Sequence, residues 1–246
     1  MSIAEKFEII ADEVYEKGVD VGYQQGVLDG NSKDYNDGKQ AQYDEFWDVY
    51  QDSGNRTSYS YAFPQRGWTN DTFKPKYDIK PIDLEYGFIR CQCTKKMQDI
   101  ETECNIKFDF SNCTKFAYAF FYSEFKELPD IDLSKAETNL SRTFMGCKAE
   151  KIGTVTVNKD QNFTMVFHAC EPLKQITFAG TIGKNGLNLA YSSLDHDSVM
   201  SVVNALEDKT GDTSGTTWLV TLGNKNIAQL SDAEKAMATE KGWTLA

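Results

Sequence analysis

Three apolar columns recur with a fixed period in the middle of this chain, and that period restricts the fold more than any other feature. Phe120, Phe144 and Phe167 follow one another at 24 and 23 residues, Phe116, Leu140 and Phe163 at 24 and 23, and Leu128, Ile152 and Ile176 at 24 and 24. A unit of this length is too short to bury its own apolar face, so successive units must stack and share one core. Phe108 to Gly180 is therefore the stretch around which the chain is organised. Within it, Ile131-x-Leu133 and Val155-x-Val157 alternate with the period of a strand, which sets Asp132 and Thr156 on the opposite face. Stacked in parallel, such strands form a narrow sheet with two edges that need covering. Residues 83–107 read as a degenerate first unit.

The six cysteines all lie between Cys91 and Cys170. Cys147 and Cys170 each follow a column phenylalanine by three residues, and Ser123 holds the matching place after Phe120. A small residue rather than a thiol is what that place requires, so the cysteines read first as small buried hydrophobes, with disulfide and metal ligation as alternatives. Cys91-x-Cys93 is too tight for a zinc knuckle, and no metal site is expected.

Before the units, Ile3, Phe7, Ile10, Val14 and Val21 form a short heptad seam, interrupted at Lys17, on an otherwise polar helix. Alone in water such a helix is marginal, so it is expected to pair with copies of itself or with a partner. Gly18, Gly22, Gly26 and Gly30 then recur every four residues, either as a close backbone contact or as a flexible linker. Tyr43, Phe46, Trp47 and Tyr50 fall on one face of a helix, which either caps the core or offers a carbohydrate-stacking surface. The aromatic, proline-containing stretch 52–82, in which Tyr59-x-Tyr61-x-Phe63 alternates, is expected to cover the first unit.

After the units, Asp195 is a candidate N-cap for a helix carrying Val199, Val202, Val203 and Leu206, with Gly211 as its stop. Trp218–Leu222 reads as a strand. Ser231-x-x-Glu234 is a capping box for a second helix ended by Gly242, after which Trp243 and Leu245 return to the core. The expected fold class is α+β: a short solenoid with parallel strands (83–191), an aromatic N-terminal cap (41–82), a helix–strand–helix C-terminal cap (192–246), and a coiled-coil-like N-terminal helix with linker (1–40).

Charge and composition exclude several function classes. The net charge is −11, and residues 1–50, with 12 acids against 4 lysines, carry −8 of it. No basic stripe is present for nucleic acid. No apolar run approaches the roughly 20 residues of a membrane helix, and the N-terminus lacks the pattern of a signal peptide. There is no phosphate loop, dinucleotide fingerprint or nucleophile elbow, so no catalytic residue and no cofactor is expected. His168 and His196 read as structural. Asp109, Asp130 and Asp132 are the nearest candidates for a glycosidase pair and read first as turn and strand residues. The sequons at Asn55, Asn70, Asn112, Asn139 and Asn162 read as turn and ladder residues.

The run Phe167, Cys170, Leu173, Ile176 resembles the BspA-like leucine-rich repeat, and Phe144-Met-Gly-Cys147 is similar to the same element. The pattern departs at Ser123 and at Ile152, which comes one residue early. Across nearly the whole chain, "YDEFWDVYQ", "GNRTSYSYAF", "GW", "FKPKYDI" and "LSDAEKAMATEKGWTLA" resemble small bacteriophage and prophage proteins of gut-type bacteria. That resemblance implies a virion or tail-module protein without catalytic residues, assembled in the host cytoplasm. Its expected partners are other tail or baseplate proteins and a host-surface protein or glycan, with homo-oligomerisation through the N-terminal helix. The expected contact residues are Tyr122, Glu124, Met145 and His168, in the loops around the units. Two other classes stay open: a protein that binds or hydrolyses cell-wall glycans, and an intracellular partner-binding repeat protein.

Overall fold

The computed structural model of the chain describes residues 59, 68–71, 73–76, 78–136 and 140–246. The heptad positions Ile3, Phe7, Ile10, Val14 and Val21, the glycines at 18–30, the aromatic helix at 43–50, Tyr61, Phe63, Asn55 and Asn139 lie outside the described residues. The chain divides into two compact units, residues 1–56 with 74–76, and residues 57–73 with 77–246. All helices and strands among the described residues lie in the second unit.

The class of this second unit is α+β, with two small parallel sheets and few helices. The elements are α1 (Met97–Cys104), β1 (Glu127–Leu128), β2 (Ile131–Asp132), β3 (Lys151–Val157), β4 (Gln175–Gly180), α2 (His196–Ala205), β5 (Trp218–Val220), α3 (Asn224–Ile227), α4 (Asp232–Glu240) and β6 (Trp243–Leu245). In the first sheet, β1 and β2 pair in turn with the two halves of β3, and β4 lies on the other side. Leu128 is opposite Ile152 and Ile131 opposite Val155, so the 24-residue sequence period becomes a parallel register. The register between β3 and β4 slips between Lys151 and Thr154. This bulge absorbs the missing residue that brings Ile152 early, because Cys147 to Lys151 is one residue shorter than Cys170 to Gln175. Gly153 sits in it, where a Cβ would lie 2.4 Å from Asp130 Oδ1, while Asp130 accepts a hydrogen bond from the Thr154 amide at 2.6 Å.

The core is a column of parallel rings. Phe88, Phe120, Phe144 and Phe167 stack with centroids 5.3, 5.5 and 5.1 Å apart and planes within 15°. Phe88 was not among the sequence columns. It stands 32 residues before Phe120 rather than 24, and the excess is the eight residues of α1, an insertion that the periodicity does not announce. Met97 and Ile100 anchor α1 in the core, and Asn105, in the left-handed conformation, ends it. Cys91 extends the small-residue column in the same way, giving Cys91, Ser123, Cys147 and Cys170, all buried. Ser123 Oγ lies 3.4 Å from Cys147 Sγ, and Cys170 Sγ donates to the Phe144 carbonyl at 2.9 Å. Burial raises the Cys91, Cys147 and Cys170 thiols above their ordinary range and pushes Cys113 up to about 12, so these groups stay protonated and inert. Trp68 and Phe73 are buried as well, with Phe73 packing edge-on to Phe88 and Phe125.

At the other end of the sheet a helix takes the place of the next strand. Asp195 caps α2 by accepting from the Ser198 amide at 2.9 Å. Burial opposes ionisation of Asp195, but the hydrogen bonds from Ser198 and Gln175 outweigh it and hold the carboxyl below the usual range. The Ser198 and Ser201 hydroxyls accept from the Ile176 and Phe178 amides of β4, at 3.0 and 3.2 Å, and so satisfy an open edge. Ser198 is buried, so Ser198→Ala leaves the Ile176 amide without its acceptor. A loss of about 1–3 kcal/mol in urea unfolding is expected. The helix ends at Ala205 with Leu206 extended and bridged to Ile182; Gly211 lies beyond and does not stop it, which corrects the sequence expectation. The Ser231–Glu234 capping box forms at α4, and β6 pairs in parallel with β5, burying Trp243. Asn226, fully buried in α3, ties the module together: its amide donates to the Leu222 carbonyl and its oxygen accepts from the Leu194 amide.

Candidate interaction face

On the side away from the strands, each unit turns through the left-handed backbone region twice. Positive φ occurs at Tyr86 and Arg90, Tyr118 and Tyr122, Arg142 and Gly146, and Met165 and Ala169. Each pair brackets a column phenylalanine by two residues on either side. Alternate amides of these turns donate to the next unit: Tyr86 to Ala117, Phe88 to Ala119, Arg90 to Phe121, Tyr118 to Ser141, Phe120 to Thr143, Tyr122 to Met145, Phe144 to Val166 and Gly146 to His168, all at 2.8–3.0 Å. The intervening amides close turns within their own unit, as Ile89 to Tyr86 and Cys91 to Phe88 do. The backbone here is thus hydrogen-bonded to itself.

The side chains at the left-handed positions, and those one residue before the second of each pair, reach the surface. They are Tyr86, Tyr118, Arg142 and Met165 in one row, Ile89, Phe121, Met145 and His168 in the next, and Arg90 and Tyr122 in a third. Tyr86 and Tyr118 stack at 4.7 Å, the Arg142 guanidinium lies 5.4 Å from the Tyr118 ring centre, and Tyr191 meets His168 edge-on at 4.7 Å. Tyr122 is 41% exposed and Tyr191 50%. Gly146 is where Tyr122 lies down: a Cβ there would be 2.6 Å from its ring.

Tyr122, Met145 and His168 are therefore brought together on one face, in three successive units. Glu124 stands apart from them. It lies beyond the buried Ser123, with its amide bonded to the Cys91 carbonyl. Tyr86, Arg90, Tyr118 and Arg142 were missed, because only a left-handed turn ladder groups them and non-glycine residues give no sequence sign of it, and Tyr191 because only its contact with His168 brings it there.

Holding seven non-glycine residues in this region costs roughly 1 kcal/mol each, so the face retains side chains at the expense of stability. Ala169→Gly removes one such cost without deleting a large side chain. It is expected to raise the unfolding free energy by about 1 kcal/mol, read as a higher urea midpoint.

The outer face of β3 and β4 presents a second concavity, an open groove of about 330 Å³ lined by Asp130, Lys151, Thr154, Gln175, Thr177 and Asp195 among others. Two of its carboxylates are engaged, Asp130 with the Thr154 amide and Asp195 with Ser198, while Asp197 stands fully exposed, 3.5 Å from His196 Nδ1. Asp109 and Asp132, the latter at the end of β2, accept from Ser111 and Ser134, and the Ser111 hydrogen bonds hold Asp109 below the usual carboxylate range. His196 bridges helices, 3.0 Å from Glu234 Oε1 and 3.5 Å from Asp197 Oδ1, and these two carboxylates raise its pKa. Among the described residues no group of three or more His, Cys, Asp or Glu is placed to hold a metal ion, and no helix is long and apolar enough to cross a membrane.

No family model, no curated protein and no solved structure matches this chain.

Proposed function

We propose that the chain is a non-enzymatic phage structural protein, associated with a tail fibre or baseplate. In this reading the stacked units are a short leucine-rich-repeat solenoid that holds the aromatic face rigid towards a host-surface component or another virion protein. The observation that carries it is the face itself: exposed Tyr122 with half-buried Met145 and His168 at or beside costly left-handed turns, and exposed Tyr191 against His168, above a close-packed phenylalanine column. Exposed aromatic and methionine side chains on a rigid support are what binding surfaces are made of. The tail-module assignment rests on the terminal segments that resemble phage proteins. The N-terminal seam of Ile3, Phe7, Ile10, Val14 and Val21 would supply attachment or oligomerisation, and the protein would reach the virion by assembly in the host cytoplasm.

Two measurements test this. Mass spectrometry of density-banded particles from a culture carrying the gene is expected to detect the protein; its absence from particles removes the virion assignment. Purified full-length protein is expected to compete with phage adsorption or tail assembly, and the Tyr122→Ser/Met145→Ser double variant to lose that competition by tenfold or more. Unchanged competition by a folded double variant removes the face.

A further inference from the structure

The ligand class follows from what the face offers and what it withholds. Most of its amides are bonded, alternately to the next unit and within their own turn, so along the units recognition falls to side chains. Those present are ring faces and edges, two methionines, and two guanidiniums.

The guanidiniums are informative. Arg90 and Arg142 are the two arginines among the described residues, and both lie on this face of a chain whose net charge is −11. Lys80, Lys96, Lys115 and Lys174 are each ion-paired, at 2.7, 2.6, 3.4 and 2.8 Å. Neither arginine has a carboxylate partner among the described residues. Arg90 is exposed, and Arg142 donates to the Tyr118 hydroxyl at 2.5 Å, which orients its planar fork above the ring. Glu124, Lys148 and Glu171 hold matching places after the small-residue column, and none of Glu85, Glu124 and Glu171 pairs with either arginine. A guanidinium without a carboxylate partner is a receptor for carboxylate or phosphate.

The rows repeat with the unit rise, 4.7 Å between the Tyr86 and Tyr118 rings and 5.1–5.5 Å along the phenylalanine column beneath. Tyr86 and Tyr118 cover each other's faces, so the rings left for the C–H face of a sugar to stack on are Tyr122, which lies over Gly146, and Tyr191. Two arginines are too few for the phosphate density of a nucleic acid.

We propose that this face binds an extended anionic glycan, one whose sugar rings lie along Tyr122, Tyr191 and their neighbours while Arg90 and Arg142 take its carboxylate or phosphate groups. This rests on the reading of the face as a binding surface. The test uses the full-length protein in affinity electrophoresis and titration calorimetry. The probes are polygalacturonate, hyaluronate and phosphomannan, with dextran as the neutral polysaccharide and poly-glutamate as the anionic non-sugar. At least one of the three anionic polymers is expected to bind with a Kd tighter than about 1 mM. Binding should weaken at least tenfold with Arg90→Gln or Tyr122→Ser and weaken with added salt. Both residues are exposed, so unchanged melting curves are expected to show that the variants remain folded; Tyr191→Ser is the second aromatic variant should Tyr122→Ser melt early. Absence of binding to all three, equal binding of dextran, equal binding of poly-glutamate, or full binding by folded Arg90→Gln overturns the proposal. Loss of phage competition by the Tyr122→Ser/Met145→Ser variant without any glycan binding overturns the ligand class alone and leaves the face standing.

Discussion

Gly180→Ala is expected to destabilise the protein by about 3 kcal/mol. Gly180 ends β4 at φ +89°, and a Cβ built on it would lie 2.1 Å from the carbonyl oxygen of Val157, which belongs to the backbone of the paired strand β3. Neither party can rotate away. The residue must leave the left-handed region, at roughly 1–2 kcal/mol, and the strand ends must separate, at about 1–3 kcal/mol for an overpacked contact. Two other glycines separate these causes. At Gly215 φ is +75° but nothing lies within 4 Å, so Gly215→Ala is expected to lose about 1 kcal/mol from strain alone. At Gly211 there is neither strain nor contact, and Gly211→Ala is expected to be neutral or to gain about 0.5 kcal/mol by restricting the unfolded chain. Urea unfolding of the three variants should rank them in that order. A Gly180→Ala loss no greater than that of Gly215→Ala would mean that β3 and β4 do not meet as closely as these distances require.

The second large effect concerns the ring column. Phe144 is fully buried between Phe120 and Phe167, with planes 6° and 15° from theirs. Phe144→Ala removes its transfer free energy and opens a cavity bounded by two units, and a loss of about 4 kcal/mol is expected. Phe144→Leu keeps most of the volume and is expected to lose about 1–1.5 kcal/mol. Because the rings are stacked, Phe120 and Phe144 should couple: a double-mutant cycle with alanine is expected to give an interaction energy of about 1 kcal/mol. A coupling near zero would mean that the rings bury area independently and that the stacking is incidental.

Features fixed by local chemistry were legible in the sequence. Asp195 caps α2 and Ser231 with Glu234 forms a capping box because such caps need only a few neighbouring residues. The columns through Phe120, Leu128 and Ile131 were legible because parallel stacking turns a sequence period directly into a register. Legibility failed where an insertion or a distant partner decided the outcome. The eight residues of α1 displaced Phe88 and Cys91 from the 24-residue period and hid the first unit's columns. Ser198, Ser201 and Asn226 owe their roles to β4 and to backbone groups more than 20 residues away. Of the residues on the proposed interaction face, Tyr122, Met145 and His168 were picked out from their place in the units. Arg90, Tyr118 and Arg142 were not, because their left-handed backbone is imposed by the stack rather than by the residues themselves.

Hydroxyl-radical footprinting of the full-length protein, alone and saturated with its receptor from solubilised host envelope or with its virion partner, tests the central claim most directly, since it reports which face becomes covered. Protection is predicted at Tyr122, Met145, Met165 and Tyr191, with labelling of Lys151, the exposed lysine lining the strand-side groove, unchanged. Protection of the groove with the tyrosines and methionines still fully labelled would contradict the account.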